Sequence, residues 1–419
     1  RRLRQHPGAG AGGGGVRVAG PRRFERHMAG ALTSRSIGGG RSMPRTPPTP
    51  ATKRINPASK SSLDSRRNSI QAPLNLSSRG PVKEPSNVVL PASGGPALTG
   101  FVFYDHLIPT LHESFLRDPR ARVAIDMRKT DSVTATALCN LLGVGQVLKK
   151  FYKAPAELIL DWHSTSLLNY MYCMGFFTLV DDFHLFAYDD GAVGGFAPRP
   201  PGKFRMLRCF SEAWELETAD QLIAKDLSQG MDVDLAADLG ECIVELVRNS
   251  MTHGRSPCFV SAIGDDEFGT QCAVTDVGVG FLATLRRKLP DLRLFQAEQM
   301  RKNDGREHLR AILEAVYRRV GSKTYGVSSV VRDLTSMGGV VRIHSHDTQV
   351  VFTRANYQRF AGRTDSRQQV VDELFRYLNL RKELAPDPLR SPLRVWDASF
   401  TGVHVEFEIP SSATRGAHR

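Results

Sequence analysis

The sequence has no apolar stretch long enough to cross a bilayer, and it does not open with a charged and then apolar signal segment. Cysteine is scarce: there are six in 419 residues, and none forms a Cys-x-x-Cys pair. These absences argue against a membrane-spanning protein and a secreted disulfide framework. They predict a cytoplasmic protein whose cysteines are small buried residues in a reducing compartment.

Acidic residues are nearly absent from the first 90 positions, which hold 17 of the 56 Lys and Arg but only 3 of the 43 Asp and Glu. The formal net charge of +13 therefore comes from this segment, and the remainder is close to neutral. Residues 1–88 are also rich in Gly, Ser and Pro, which predicts a disordered basic tail. The tail is either simply solvated or a basic arm that binds an acidic surface. Because the chain starts with Arg1, Met28 and Met43 are candidate translation starts.

Residues 89–205 alternate between strand-like and helix-like segments, which predicts a small α/β domain. The segments "ARVAIDMR" and "AELILDWH" are typical of buried strands. Between and after them, "ATALCNLLGVGQVLKKFY" and "SLLNYMYCMGFFTLV" have the apolar spacing of helices.

Residues 206–412 predict a second α/β domain. "DVDLAADLGECIVELVRNSMTHG" predicts one amphipathic helix. The stripe predicted to be buried consists of Leu235, Leu239, Ile243, Leu246 and Ser250. "CFVSAIGD", "TQCAVTD" and "GVHVEFEIP" predict strands, and "VVRIHSHDTQVVFTR" a hairpin of two strands. Two charged insertions, 282–322 and 355–398, interrupt the pattern.

The helix carries Glu245 and Asn249 one turn apart, so that their side chains share a face. The strand "TQCAVTD" ends at Asp276 and is followed by Gly278 and Gly280. A carboxylate at a strand end, next to glycine backbone that a ligand can approach closely, suits the floor of a pocket. An ordinary turn is the alternative.

These elements resemble the GHKL ATPase superfamily, which includes gyrase-type ATPases, histidine kinases and anti-sigma-factor serine kinases. Its N box, Glu-x-x-x-Asn, is matched by Glu245 and Asn249. Its Asp-x-Gly-x-Gly box is matched by the residues from Asp276 to Gly280. The resemblance covers about residues 210–410 and implies a Bergerat-type α/β sandwich, with a mixed sheet and helices on one face.

The third box of the family, Gly-x-Gly before a helix, is matched only in part. In "SKTYGVSSVVRDLTSMGG", Gly326 corresponds to its second glycine, but Thr324 replaces the first. Glycine at a helix N-terminus suits a phosphate. Nearby Lys323 is a candidate phosphate contact, with a solvated lysine as the alternative.

The resemblance also implies roles for these residues. Asp276 would accept a hydrogen bond from the adenine amine, Asn249 would bind Mg²⁺, and Glu245 would polarise an attacking hydroxyl or water. Gly278 and Gly280 would allow an ATP lid to move.

The lid would be the insertion 282–322. His253 lies where anti-sigma kinases often carry histidine. The alternative is that His253 is only a polar residue at the end of the helix.

Within residues 89–205, "VAIDMRKTDSVTATALCNLLG" and "MGFFTLV" are similar to STAS domains, the fold of anti-sigma-factor antagonists. The family's Asp-Ser pair falls here on Thr134-Ala135, so its acceptor serine is absent, although Ser132 and Thr136 lie nearby. An unrelated α/β domain is the alternative.

Together these patterns predict an ATP-binding regulatory protein of the partner-switching type, with ATP and Mg²⁺ as cofactors and a protein serine/threonine kinase or ATPase activity. Its partner would be a STAS-type antagonist or a sigma-factor-like protein. A non-catalytic interaction module with a degenerate nucleotide site is the alternative. A sensor histidine kinase is disfavoured because no helix pair with an acceptor histidine precedes the N box, and nucleic-acid binding because the folded part is neutral. Homodimer formation is left open.

Overall fold

The structure, a computed structural model, describes most of the chain from residue 86 to residue 411. The described ranges are 86–152, 155–161, 163–189, 205–265, 269–288, 306–317, 326–361, 373–374, 376–378 and 391–411. Nearly all of the predicted basic tail, together with Lys323 and Thr324, lies outside these ranges.

The described strands and helices alternate along much of the chain, as predicted. The strands are β1 (Asn87–Pro91), β2 (Ala97–Leu98), β3 (Arg122–Asp126), β4 (Ser132–Val133), β5 (Ala156–Ile159), β6 (Phe186–Ala187), β7 (Arg205–Phe210), β8 (Cys258–Asp265), β9 (Gly269–Asp276), β10 (Val340–Phe352) and β11 (Leu393–Ile409). The α-helices are α1 (Gly100–Val102), α2 (Ile108–Arg117), α3 (Ala135–Tyr152), α4 (Thr165–Met174), α5 (Phe176–Phe183), α6 (Ala219–Leu227), α7 (Val233–Asn249), α8 (Gly280–Lys288), α9 (Arg306–Tyr317), α10 (Val327–Ser336) and α11 (Arg354–Phe360).

The strands form two larger sheets, so the mixed α/β class is confirmed. The first sheet has the order β1-β3-β5-β6 and is parallel. The second has the order β10-β11-β9-β8-β7, and every described pairing in it is antiparallel. The prediction of a mixed sheet for the second part is therefore wrong for the described strands. One reason is that two helices, α6 and α7, separate β7 from β8, whereas a single crossover helix is typical of parallel neighbours.

Both faces of the antiparallel sheet are covered. On one face lie the buried side chains of α6, α7, α9 and α10, as expected for helices on one side. On the other face α3 packs against β8 and β9, and Phe259, Ala273 and Phe400 belong to the same core as the first sheet. The two predicted α/β regions thus share the core on the α3 face of this sheet, and the second region has a core of its own on the other face.

Two sequence-based expectations are corrected here. The predicted hairpin in "VVRIHSHDTQVVFTR" is the single strand β10, which pairs with β11 through register shifts near His346. Its polar middle resembles a turn, but Ser345, His346 and Thr348 are all buried. The sheet accommodates them with an irregularity in which His346 has a φ of 59°.

The insertion 282–322 is not a lid throughout. Its helix α9 packs into the main core through Leu309, Ile312, Leu313 and Val316, each at most 1% exposed. These residues follow the spacing of a buried helical stripe, which the charged composition of the insertion obscured.

None of the described helices has the length and apolar content needed to cross a membrane. All six cysteines are free; four are buried, and Cys173 and Cys209 are half-buried.

Candidate functional site

Helix α7 forms one wall of the site, and its local sequence explains its position. The Asp232 side chain caps its first turn by accepting hydrogen bonds from the backbone N–H groups of Asp234 and Leu235, over 3.0 and 3.2 Å. The predicted stripe from Leu235 to Ser250 is buried, as expected. After Asn249 the helix ends in a π-helical turn, Ser250–Gly254.

Glu245 and Asn249 are in contact, as their spacing predicts. The Asn249 side-chain amide donates to the backbone carbonyl of Glu245 over 2.7 Å and lies 3.3 Å from Glu245 Oε1. The amide nitrogen is therefore engaged, whereas Asn249 Oδ1 accepts no hydrogen bond from the described residues. The other Glu245 oxygen forms an ion pair with Arg248 over 2.6 Å.

Asp276 is the most deeply buried charged group of the site, with only 2% of its surface exposed. Its Oδ1 accepts hydrogen bonds from the backbone N–H groups of Gly278 and Val403, over 2.9 and 3.3 Å. Burial is the largest influence and raises the pKa of Asp276 to about 6, although these hydrogen bonds oppose it.

The glycines around Asp276 are required by close backbone packing. A Cβ at Gly278 would lie 2.6 Å from Gly254 Cα, and one at Gly254 would lie 3.1 Å from Asp276 Oδ1. On the next strand, Gly402 has a φ of 101°, and a Cβ there would lie 2.7 Å from the carbonyl carbon of Asp276. The Thr401 hydroxyl donates to the Gly278 carbonyl over 2.9 Å. The loop after Asp276 is therefore held from two sides.

Asp276 and Asn249 line the same cavity, between α7, α8 and the sheet. Its volume is about 60 Å³. Apolar side chains form most of its walls, and its other polar lining comes from Ser250, His253, Gly254, Gly280 and Thr284. The cavity exceeds the 10–15 Å³ needed for one water but is below the roughly 300 Å³ of typical small-molecule sites. It has room for part of a ligand of nucleotide size.

Gly326 brings a third element to Asn249. It precedes α10 with a φ of 65°, and a Cβ there would lie 3.6 Å from both the Asn249 amide and Glu245 Oε1. The N-terminus of α10 thus faces the pair Glu245–Asn249, as the order of the sequence motifs predicts.

Glu245 lies outside the cavity. It lines a separate groove of about 640 Å³ between α7 and α10, together with Glu241, Arg248, Arg332 and Asp333 among others. Glu245 and Asn249 therefore touch each other but face two different openings.

Of the remaining predicted residues, Gly280 begins α8 with a φ of 73°, and a Cβ there would lie 3.0 Å from the His346 ring. His253 lines the cavity, and its backbone carbonyl accepts a hydrogen bond from Arg287 over 3.3 Å.

Sequence reasoning missed Ser250, Gly254, Thr401 and Gly402 as parts of the site. The sequence pattern places Gly254 only at the end of the predicted helix and Ser250 only in its buried stripe. The dipeptide Thr401-Gly402, where the predicted strand "GVHVEFEIP" begins, is a usable signal, because a glycine there permits the backbone contact with Asp276.

In the first α/β region, the Thr134 hydroxyl accepts a hydrogen bond from the Ala137 N–H over 3.2 Å at the start of α3. Ser132 is exposed in β4, and Thr136 is buried. Thr134 therefore serves as a helix cap at the position where the STAS resemblance places the aspartate of its Asp-Ser pair, one residue before the acceptor position at Ala135.

Comparison of the chain with models of protein families, with curated proteins and with solved structures finds no match.

Proposed function

We propose that this protein binds ATP with Mg²⁺ in a GHKL-type site and acts as a partner-switching regulator of the protein serine/threonine kinase class. The observation that carries the proposal is the buried Asp276 carboxylate in an apolar cavity that Asn249 also lines. A buried carboxylate that retains room beside it suits a ligand with hydrogen-bond donors, such as the amine of adenine. The placement of α7, α9 and α10 on one face of the second sheet supports a Bergerat-type fold, and the parallel sheet with α3 supports a STAS-like one.

The residues present fit the nucleotide in three respects. Asp276 would hold the base, the Oδ1 of Asn249 would be available to the cation, and the N-terminus of α10 after Gly326 would face phosphate oxygens. No cluster of three His, Cys, Asp or Glu side chains in the described residues could hold a metal ion. A cation at Asn249 would therefore need the phosphates as its main ligands.

Mg-ATP would supply a transferable phosphoryl group whose charge the metal offsets. The carboxylate of Glu245, one turn before Asn249, would accept the proton of an attacking hydroxyl or water. Because Glu245 faces the groove between α7 and α10, the hydroxyl would approach from that groove. The partner would then be a protein that presents a serine or threonine there.

One observation favours a second candidate, a binding module without phosphoryl transfer. Both oxygens of Glu245 are already engaged, one by Asn249 and one by Arg248. In this second candidate function, the bound nucleotide would only control whether the partner protein binds.

The proposal is tested by thermal unfolding of the full chain with ATP, ADP or GTP in the presence of Mg²⁺. A ligand at 100 times its Kd stabilises the folded state by about 2.7 kcal/mol, which for a chain of this size is a shift of several degrees. We expect this shift with adenine nucleotides and a much smaller one with GTP, because the guanine O6 would face the Asp276 carboxylate. No shift at millimolar ATP would contradict the proposal.

A further inference from the structure

A buried hydrogen bond joins the two α/β regions directly behind the candidate site. The Thr275 hydroxyl of β9 donates to Asn140 Oδ1 of α3 over 2.7 Å, and both residues are 1% exposed. Most of the surrounding contact between α3 and the sheet is apolar. Apolar contacts are not directional, whereas a buried hydrogen bond requires a defined distance and angle. This pair therefore fixes how α3 sits on β9.

Strand alternation places Thr275 and Asp276 on opposite faces of the sheet. Ala273 packs with the α3 core, and Val274 packs with the α7 core. In the same alternation Thr275 faces α3, and Asp276 lines the cavity. Because the two residues share a peptide unit, a displacement of Thr275 relative to α3 also displaces Asp276.

The same face of α3 contacts the chain on both sides of Asp276. A Cβ at Gly143, three residues after Asn140, would lie 3.0 Å from Thr275 Cγ2 and 3.4 Å from Val277 Cγ1. The absence of a side chain at Gly143 thus lets the helix approach both residues. The Cys139 thiol donates to the Phe259 carbonyl of β8 over 3.0 Å and anchors this face of α3 to the neighbouring strand.

We propose that Asn140 is a positioning residue for Asp276: through Thr275 it fixes the end of β9, and with it the carboxylate that receives the nucleotide. The first α/β region then contributes to the nucleotide site, because its helix α3 packs against β9, the strand that ends at Asp276. An event that shifts α3 would lower nucleotide affinity. This inference rests on the proposed function.

The test measures Mg-ATP affinity of the full chain for Asn140→Ala, Thr275→Val and the double variant. We expect each single variant to weaken affinity by about tenfold, and the double variant to be no weaker than either, because both remove the same hydrogen bond. Leu148→Ala is the matched control. Leu148 is also buried on α3, but it lines a groove with β1, β3 and β5. It should lower stability and leave affinity within about twofold.

A second measurement needs no nucleotide. Melting temperatures of the wild type and of Asp276→Asn are measured from pH 4 to pH 8, and the difference between the two is calculated at each pH. The same difference is then measured with Asn140→Ala present in both proteins. We expect Asn140→Ala to reduce the pH-dependent part of this difference by at least half, because a displaced carboxylate gains access to water. Leu148→Ala should not change it.

Unchanged affinity and an unchanged pH profile in Asn140→Ala would overturn the proposal and leave the hydrogen bond as a purely structural contact. If the wild type binds no nucleotide, the proposed function fails, and the pH profile still decides on positioning. If Asn140→Ala does not fold, Thr275→Val, which keeps the side-chain shape, replaces it in both measurements.

Discussion

Gly254 and Gly278 meet backbone to backbone beside the Asp276 carboxylate, so closely that a Cβ at Gly278 would lie 2.6 Å from Gly254 Cα. One glycine ends the helix that carries Glu245 and Asn249, and the other follows the strand that carries Asp276. Their contact joins these two elements, so that Asp276 and Asn249 line the same cavity.

Gly278→Ala should lower the free energy of unfolding by about 1–3 kcal/mol, because the added methyl group meets backbone that has little room to move. Gly240→Ala is its control. A Cβ at Gly240, inside α7, would meet no atom closer than 3.9 Å. This second change should stabilise the protein by about 0.5–1 kcal/mol, because alanine favours a helix interior. Urea unfolding measures both, and equal effects of the two substitutions would contradict the packing described above.

Asp276→Asn should stabilise the protein without ligand near pH 7. Burial raises the pKa of Asp276 from 3.8 to about 6, so the folded state disfavours the ionised form. The Asp276 side chain therefore makes its full contribution to the stability of the wild type below about pH 4, and this contribution is lost as the pH rises through about 6. Two pKa units correspond to about 3 kcal/mol.

Asparagine keeps an oxygen for the N–H groups of Gly278 and Val403 but does not ionise. The stability difference between variant and wild type should therefore grow between pH 4 and pH 7, as measured by thermal unfolding. A difference independent of pH would show that Asp276 is not a strained buried charge.

Glu245→Ala should separate the kinase from the binding module. In a kinase, it would leave ATP affinity within a few-fold and lower phosphoryl transfer by about 10²–10⁴, the usual contribution of a positioned base. Asn249→Ala should lower both Mg-ATP affinity and transfer. Transfer of labelled γ-phosphate to a candidate STAS-type partner measures these effects.

The control for this prediction is Glu241→Ala, which removes the same charge one turn earlier on α7 in the same groove. It should change transfer much less than Glu245→Ala. If the wild type binds ATP but transfers no phosphate to any partner offered, and Glu245→Ala changes nothing, the binding module is favoured.

A chain that begins at Arg205 should be much less stable than the full protein. Without α3 it would expose Phe259 and Phe400, which are at most 2% exposed in the full chain. Burial of one phenylalanine contributes about 1.5–3 kcal/mol, so this loss lowers the melting temperature by roughly 10 °C or causes aggregation. Thermal unfolding of the purified fragment tests this expectation, and an unchanged melting temperature would mean that the shared core contributes little.

The sequence predicted the elements of the site well because their signals are local. The stripe from Leu235 to Ser250 defined α7, and the spacing of Glu245 and Asn249 placed their side chains on one face of it. The position of Asp276 at the end of a strand was also predicted correctly. Each of these features depends on residues at most a few turns apart.

The remaining features depend on contacts between distant residues. Asn140 and Thr275 are 135 positions apart, and no periodicity connects them. Similarly, the polar residues around His346 resemble a turn until their pairing with β11 is known. The family resemblance predicts a lid in the charged insertion that contains α9. The buried stripe of α9 becomes recognisable only when its partners in the folded core are known.

The most direct measurement of the central claim is isothermal titration of Mg-ATP into the full chain and into Asp276→Asn, at pH 7.5. Wild type should bind with one site per chain. The variant should lose affinity by about tenfold to a hundredfold, because a hydrogen bond to a charged group contributes about 1.5–3 kcal/mol. It should also remain at least as stable as the wild type, which excludes unfolding as the cause. Equal affinities for the two proteins, or no heat of binding for the wild type at millimolar ATP, would contradict the claim that Asp276 receives the adenine of a bound nucleotide.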